Sequence, residues 1–302
     1  MPWRKGNRLR VIPEDAADDP TRLIFADIRE TLGLPLLRTF FPALAAYPQF
    51  LQLHWKMIKP VAQTCEFFAC ADRLRADAYT RAHNYLRIPD LCARLEESRF
   101  SAGARQELTA AIELFHYRNP LLLLIFSAQM QALEGPVGQQ RPLTPVTAHP
   151  VFGQCPVLVE EEKASAPVRH RYDEIRRVLE LPYVNAEYEA MARFPAFLNI
   201  YWELIKSLLP SPLYQECQYG MRDTAWNLVR ELPGPLELPL EQLTDAGMRQ
   251  DEIASIARIL QLFVKNLGGL LIDVAIANIA LEGGNVATPP KPSAKPDSER
   301  VA

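Results

Sequence analysis

Apolar residues along the chain recur at the three- and four-residue spacing of a helix rather than at every second position. Ile24, Ile28 and Leu32 follow one another at four, and Phe50, Leu53 and Met57 at three and four, so each stretch lays one apolar face along a helix. The alternation that a half-buried strand needs is nearly absent. Prolines at 35, 48, 60, 89 and 120 punctuate the pattern. They are expected in the first turn of a helix or just beyond its end, where a missing N–H costs nothing. The chain is therefore expected to be all-α.

The pattern also repeats. Shifted by 147 positions, Phe25 to Lys59 lies on Tyr172 to Lys206 without a gap, with 13 of 35 residues identical. The identities include Ile28/Ile175, Arg29/Arg176, Pro35/Pro182, Pro48/Pro195, Phe50/Phe197, Trp55/Trp202 and Lys59/Lys206. The same shift pairs Cys70 with Cys217, Arg75 with Arg222 and Asn119 with Asn266. The expected organisation is a tandem duplication of a unit of about five helices, with one repeat within residues 1–134 and the other in 158–281. A proline-rich linker (135–157) joins them, and a tail rich in Pro, Ser and Lys (282–302) is expected to be disordered. Such a chain resembles a fused homodimer, and its pseudo-twofold interface is a natural place for a cleft.

Composition narrows the function. Of 302 residues 48% are hydrophobic and 23% charged, enough to bury a core without metals or bridges. The net charge of −3 and the lack of a polybasic run point to neither nucleic acid nor an anionic membrane. Cys65, Cys70, Cys92, Cys155 and Cys217 are odd in number and scattered, which suits a reducing cytoplasm. The basic start runs into the acidic PEDAADD rather than a signal peptide's apolar core. The apolar run Leu121 to Phe126 is far shorter than the roughly 20 residues that span a bilayer, and reads as a buried helix.

Signatures of serine hydrolases, zincins, dinucleotide binding and phosphate loops are missing. His54 and His116 fall on apolar helices and read as core or groove residues rather than bases. Attention falls on positions where the two copies differ, above all Phe40 against Glu187. Glu187 sits on a hydrophobic segment, where burial would raise its pKa and fit it for a base. The alternative is that Glu187 and Glu189 simply favour a helix N-terminus. Asn119, before Pro120 in FHYRNPLLLLIF, reads either as a helix N-cap or as an amide able to hold water or substrate.

An ordered set of segments resembles the group I, non-stereospecific 2-haloacid dehalogenases: YxxIRxxLxxP at Tyr172, FxYxNPxxLL at Phe115, the connector AHPVFGQCPVLVEEEKAS, and AxxxFP at Ala190. The resemblance runs nearly end to end. It implies fused pseudo-dimers of helical repeats that hydrolyse short 2-haloalkanoic acids of either hand, with no metal, cofactor or covalent ester. The substrate partner would be a small carboxylic acid, and a homodimer remains open. The family's aspartate base falls on Glu187 and its water-holding asparagine on Asn119. A glutamate is one methylene longer and moves the base by about 1.5 Å, a displacement that costs roughly a hundredfold in rate unless the site is rebuilt. The serine beside the base is Ala186 here, and pocket aromatics appear as Leu36 and Thr39. With Phe40 these bound the expected substrate pocket, and Arg38 in the same loop is placed to pair with a carboxylate. The alternatives to a dehalogenase are a non-enzymatic helical binding protein and an enzyme with other chemistry.

Overall fold

Local signals set where the helices begin and end. In the computed structural model, which describes residues 9–97, 100–148 and 155–286, the Asp18 carboxylate accepts from the Thr21 N–H at 3.0 Å ahead of α1 (Asp19–Leu32). Gly33 closes that helix in the left-handed conformation, φ 63°. Short α2 (Phe40–Leu44) leads to α3 (Pro48–Ala62), Thr64 caps α4 (Cys65–Tyr85), and Ser101 caps α6 (Ala102–Glu134) after short α5 (Leu91–Glu97). The remaining helices are α7 (Ala166–Leu179), α8 (Ala186–Met191), α9 (Pro195–Leu208), α10 (Pro212–Val229), α11 (Leu240–Asp245) and α12 (Gln250–Leu281).

The described residues thus hold six helices up to residue 134 and six from 166 to 281, one more in each stretch than the spacing predicts. Short helices such as α2 and α8 carry too few turns to show a period. Two prolines also depart from expectation, because Pro60 lies inside α3 and Pro120 inside α6. Asn119 is therefore not an N-cap but an interior residue of a 33-residue helix. Pro120 removes only one helical hydrogen bond, and burial along α6 holds the helix through that gap.

At the centre α6 and α12 lie against each other, and α4 and α10 each touch both. Outside them α1 packs on α3, α7 on α9, and α8 on α6 and α9. Asp27 of α1 accepts from Trp55 Nε1 (2.7 Å) and Lys59 Nζ (2.8 Å) of α3. Glu174 of α7 accepts likewise from Trp202 Nε1 (3.0 Å) and Lys206 Nζ (2.9 Å) of α9. Among the described residues α12 alone is long and apolar enough to cross a membrane by length and composition. Its most apolar window is 78% buried in the protein, as befits a central helix.

Part of the expected linker is tied to the body. Gln139–Gln140 pairs in parallel with Pro233–Gly234, and Val146 N–H donates to the Gln63 carbonyl at 2.8 Å. Residues 149–154 of that linker and 287–302 of the tail lie outside the described residues.

Candidate active site

Every side chain of α8 is buried, including two glutamates in its first turn. Their carboxylates meet different fates. Glu189 accepts from the Arg38 guanidinium through both oxygens, at 3.0 and 2.9 Å, and Arg38 also lies 3.6 Å from Glu160. Burial pushes the Glu189 pKa up, and Arg38 pulls it back. Glu187 is 2% exposed, and neither of its oxygens has a hydrogen-bond partner. The cation facing it is Arg118 of α6, whose Nη1 stands 3.6 Å from Glu187 Oε1. That is an ion pair without a hydrogen bond.

Arg118 is also 2% exposed. Its Nη2 donates to the Arg38 carbonyl at 3.1 Å, while Nε and Nη1 find no acceptor. The same Arg38 carbonyl accepts from the Phe40 N–H at 2.8 Å across Thr39, whose φ of 62° and ψ of −64° make a three-residue γ-turn of the strained kind. A β-branched residue adopts that geometry only when its surroundings impose it. Here the buried guanidinium caps the turn from below.

Rings wall the cluster. Arg118 Cζ sits 5.4 Å from the Phe40 ring centroid and 5.8 Å from that of Phe115. Phe40 in turn meets Phe263 at 4.8 Å, Phe126 at 5.8 Å and Tyr183 at 6.5 Å. Beside Arg118, Asn119 is wholly buried with neither amide atom bonded. Asn266 of α12 contrasts with it, exchanging hydrogen bonds with the Asn185 amide (2.7 and 3.3 Å) and donating to Tyr183 OH at 3.1 Å.

A second polar knot lies behind α8. Asp273 of α12 is buried and accepts from Tyr214 OH (2.5 Å) and Tyr188 OH (3.2 Å), and its backbone carbonyl accepts from Tyr201 OH (2.6 Å). Burial lifts its pKa to about 7 against the pull of both phenols, with Glu187 adding to the rise. His54 is fully buried, stacked between Phe50 and Phe126 with both ring nitrogens unpartnered, and burial lowers its pKa to about 3. His116 Nδ1 accepts from Asn278 Nδ2 at 3.0 Å, and burial lowers its pKa to about 4. Among the described residues no group of His, Cys, Asp and Glu is arranged to hold a metal ion.

The structure brings Glu187, Arg38 and Phe40 to one cluster, with Asn119 adjacent to Arg118 on α6 and Ala186 buried at the start of α8. Leu36 and Thr39 are half-buried on the preceding loop, outside the ring cluster and the ion pairs. Arg38 is already engaged by Glu189. Sequence reasoning missed Arg118 and Asp273, because a lone charge in an apolar helix reads as a solvated position, and Tyr183, because its loop before α8 carries no periodic signal. Two clefts open elsewhere. One of about 540 Å³ runs along α7, α9, α10 and α12 and reaches Asn266 and Asp273, and one of about 630 Å³ lies between α6, Cys155 and Arg193. Neither is lined by Glu187, Arg118 or Asn119.

A protein-family model described as halocarboxylic acid dehydrogenase DehI matches residues 35–188, a span that includes Arg38, Arg118, Asn119 and Glu187. The chain is 27% identical over 272 residues to an (R)-2-haloacid dehalogenase of Pseudomonas putida, covering 88% of this chain and 90% of that protein. It is 26% identical over 276 residues to a configuration-inverting 2-haloacid dehalogenase of Alcaligenes xylosoxydans xylosoxydans, covering 87% and 90%. Among solved structures, a D-2-haloacid dehalogenase mutant in complex with D-2-CPA superposes with a TM-score of 0.87 at 25% identity, covering 93% of this chain and 98% of that one. A D-2-haloacid dehalogenase in complex with L-LA gives 0.87 at 25%, covering 93% and 99%. The helical fold is thus shared along nearly the whole chain.

Proposed function

The chain belongs to the halocarboxylic acid dehydrogenase DehI family, and on that premise we propose that it hydrolyses the carbon–halogen bond of a short 2-haloalkanoic acid. A water held by the Asn119 amide attacks C2 while Glu187 takes its proton. The C–halogen bond breaks with its electron pair on the departing halide, and the product is a 2-hydroxy acid. Glu187 then returns the proton to solvent. A single displacement inverts the carbon centre, in keeping with the name of the configuration-inverting relative. Nothing in the step selects one hand, so both are expected to react.

The observation that carries this reading is the pair of buried polar groups that make no hydrogen bond in the fold, Glu187 and Asn119. An orphaned polar group costs about 1–3 kcal/mol of stability, more for a charge, so a water or ligand that bonds to both groups is favoured there. The 147-residue repeat read from the sequence, taken as a duplication, supplies the rationale. The helices up to residue 134 recur 147 positions later at nearly the same bounds, as α3 (Pro48–Ala62) and α9 (Pro195–Leu208) illustrate. Asn266, the equivalent of Asn119, is satisfied by Tyr183 and Asn185. The positions equivalent to those two are Leu36, which has no polar group, and Arg38, which turns to Glu189. Asn119 is thereby left free. One copy supplies the amide and the other the carboxylate, from a scaffold whose halves have specialised.

A second reading is favoured by the clefts, neither of which touches Glu187: a ligand-binding protein that keeps the fold without turnover. Halide release from separate D- and L-2-chloropropionate decides. Under the hydrolase reading both acids release halide, Glu187→Gln lowers the rate by about 10²–10⁴-fold, and Asn119→Ala lowers it more than about tenfold. Full activity in Glu187→Gln would remove the base assignment. No release from either acid by the unaltered protein would leave the binding reading.

A further inference from the structure

We infer that Arg118 binds the carboxylate of the substrate, so that the site admits anionic acids and rejects their neutral counterparts. The inference rests on the site just described but not on its turnover. Among the described residues, four side chains of charged type are buried: Arg118, Glu187, Glu189 and Asp273. Glu189 is neutralised by Arg38, and Asp273 is held by two phenols. That leaves one buried cation beside one buried carboxylate it does not hydrogen-bond.

The unspent capacity of Arg118 is specific. Nη2 is used on the Arg38 carbonyl, whereas Nε and Nη1 are buried donors without acceptors. A guanidinium keeps its charge under such burial, because its intrinsic pKa is so high. A substrate carboxylate entering next to Glu187 would place two anions in one low-dielectric site, which is untenable without a cation between them. Arg118 meets that need with donors matched to a planar carboxylate. The Phe40 and Phe115 rings keep water from the same guanidinium, which strengthens the contact.

Two other assignments fit less well. Arg38 is only half-buried and its charge is already compensated, by two hydrogen bonds from Nη2 to Glu189 and by Glu160 3.6 Å from Nη1. A halide leaves from the side of carbon opposite the attacking water. Arg118 stands beside the base, so the anion it receives is the carboxylate rather than the leaving group.

The test uses unreactive ligands, so that it reads binding alone. Propionate and propionamide are titrated calorimetrically into the full-length protein, Arg118→Gln and Arg118→Lys, with thermal melts to confirm folding. The unaltered protein should bind propionate at least about 30-fold more tightly than propionamide, Arg118→Gln should lose that preference, and Arg118→Lys should keep part of it. Should Arg118→Gln fail to fold, the acid-to-amide ratio of the unaltered protein and the Arg118→Lys value decide. Equal binding of acid and amide, absence of propionate binding, or undiminished propionate binding by Arg118→Gln would each overturn the inference. Acid binding without halide release would overturn the hydrolase reading and leave this one standing; halide release with normal propionate binding in Arg118→Gln would do the reverse.

Discussion

Two buried titratable side chains outside the reacting pair pull stability in opposite directions as pH changes. His54 stays neutral in the fold down to about pH 3, against an ordinary value of 6.5. As pH falls below 6.5 the unfolded chain takes a proton that the folded chain refuses, so stability drains away between about 6.5 and 3, by at most about 5 kcal/mol. Asp273 does the opposite. Its pKa rises from 3.8 to about 7, so between those values the unfolded chain gives up a proton that the fold retains. Its share of stability is whole below pH 3.8 and lost as pH rises through about 7, by at most about 4 kcal/mol. The two slopes oppose each other across the weakly acidic range and are expected to flatten the profile of the unaltered protein. Urea denaturation of His54→Phe and Asp273→Asn at pH 4, 5.5 and 7 separates them. Relative to the unaltered protein, His54→Phe should gain stability as pH falls and Asp273→Asn as pH rises. A difference independent of pH in either variant would contradict its titration. Neither slope can be read from sequence, because His54 owes its shift to Phe50 and Phe126 around it, and Asp273 owes its own to burial on α12 opposed by phenols from α8 and α10.

Helix contacts turn on single atoms where α10 crosses α12. A Cβ on Gly268 would stand 2.7 Å from Arg222 Cγ and 3.1 Å from the Gln218 carbonyl, whereas one on Gly269 would meet only the Gln218 side-chain amide at 3.0 Å. Alanine gains about 1 kcal/mol over glycine in a helix interior, while overpacking costs about 1–3 kcal/mol. Gly268→Ala should therefore lower the melting temperature, because backbone cannot step aside. Gly269→Ala should hold or raise it, because the end of a glutamine can, and a fall of similar size in both would refute this account. The element scale is also where sequence reading succeeds and fails for identifiable reasons. Helical spacing at Ile24, Ile28 and Leu32 is enough to give the class, since an α1 face buried on α3 needs that period. The Asn-Pro pair in α6 misleads, because the local signal for a helix start is overridden by burial on both sides of it. Arg118 escapes notice for the same reason: one charge in an apolar helix says nothing of what it faces until α8 is laid across it.

The halves of the molecule meet through more than one seam, and this bears on whether either can stand alone. Thr224 of α10 donates to Asp77 of α4 at 3.1 Å, Tyr79 of α4 donates to Glu282 beyond α12 at 2.6 Å, and Gln131 of α6 donates to the Trp226 carbonyl at 2.9 Å. Phe40, Phe126 and Phe263 close one ring cluster from α2, α6 and α12. Two independent domains in a chain of this length would melt in separate steps. Here α6 is buried almost throughout its second half by helices from both parts of the chain, so removing either part strips the other of its core. Scanning calorimetry should show one transition, with van't Hoff and calorimetric enthalpies in agreement and the tryptophan signal melting with the helical signal. Residues 1–134 produced alone should expose the α6 face that α12 covers and aggregate or bind hydrophobic dye. A well-folded, monomeric half would mean that the central pair of helices is a contact between finished units, and the shared site would then be a product of docking rather than of folding.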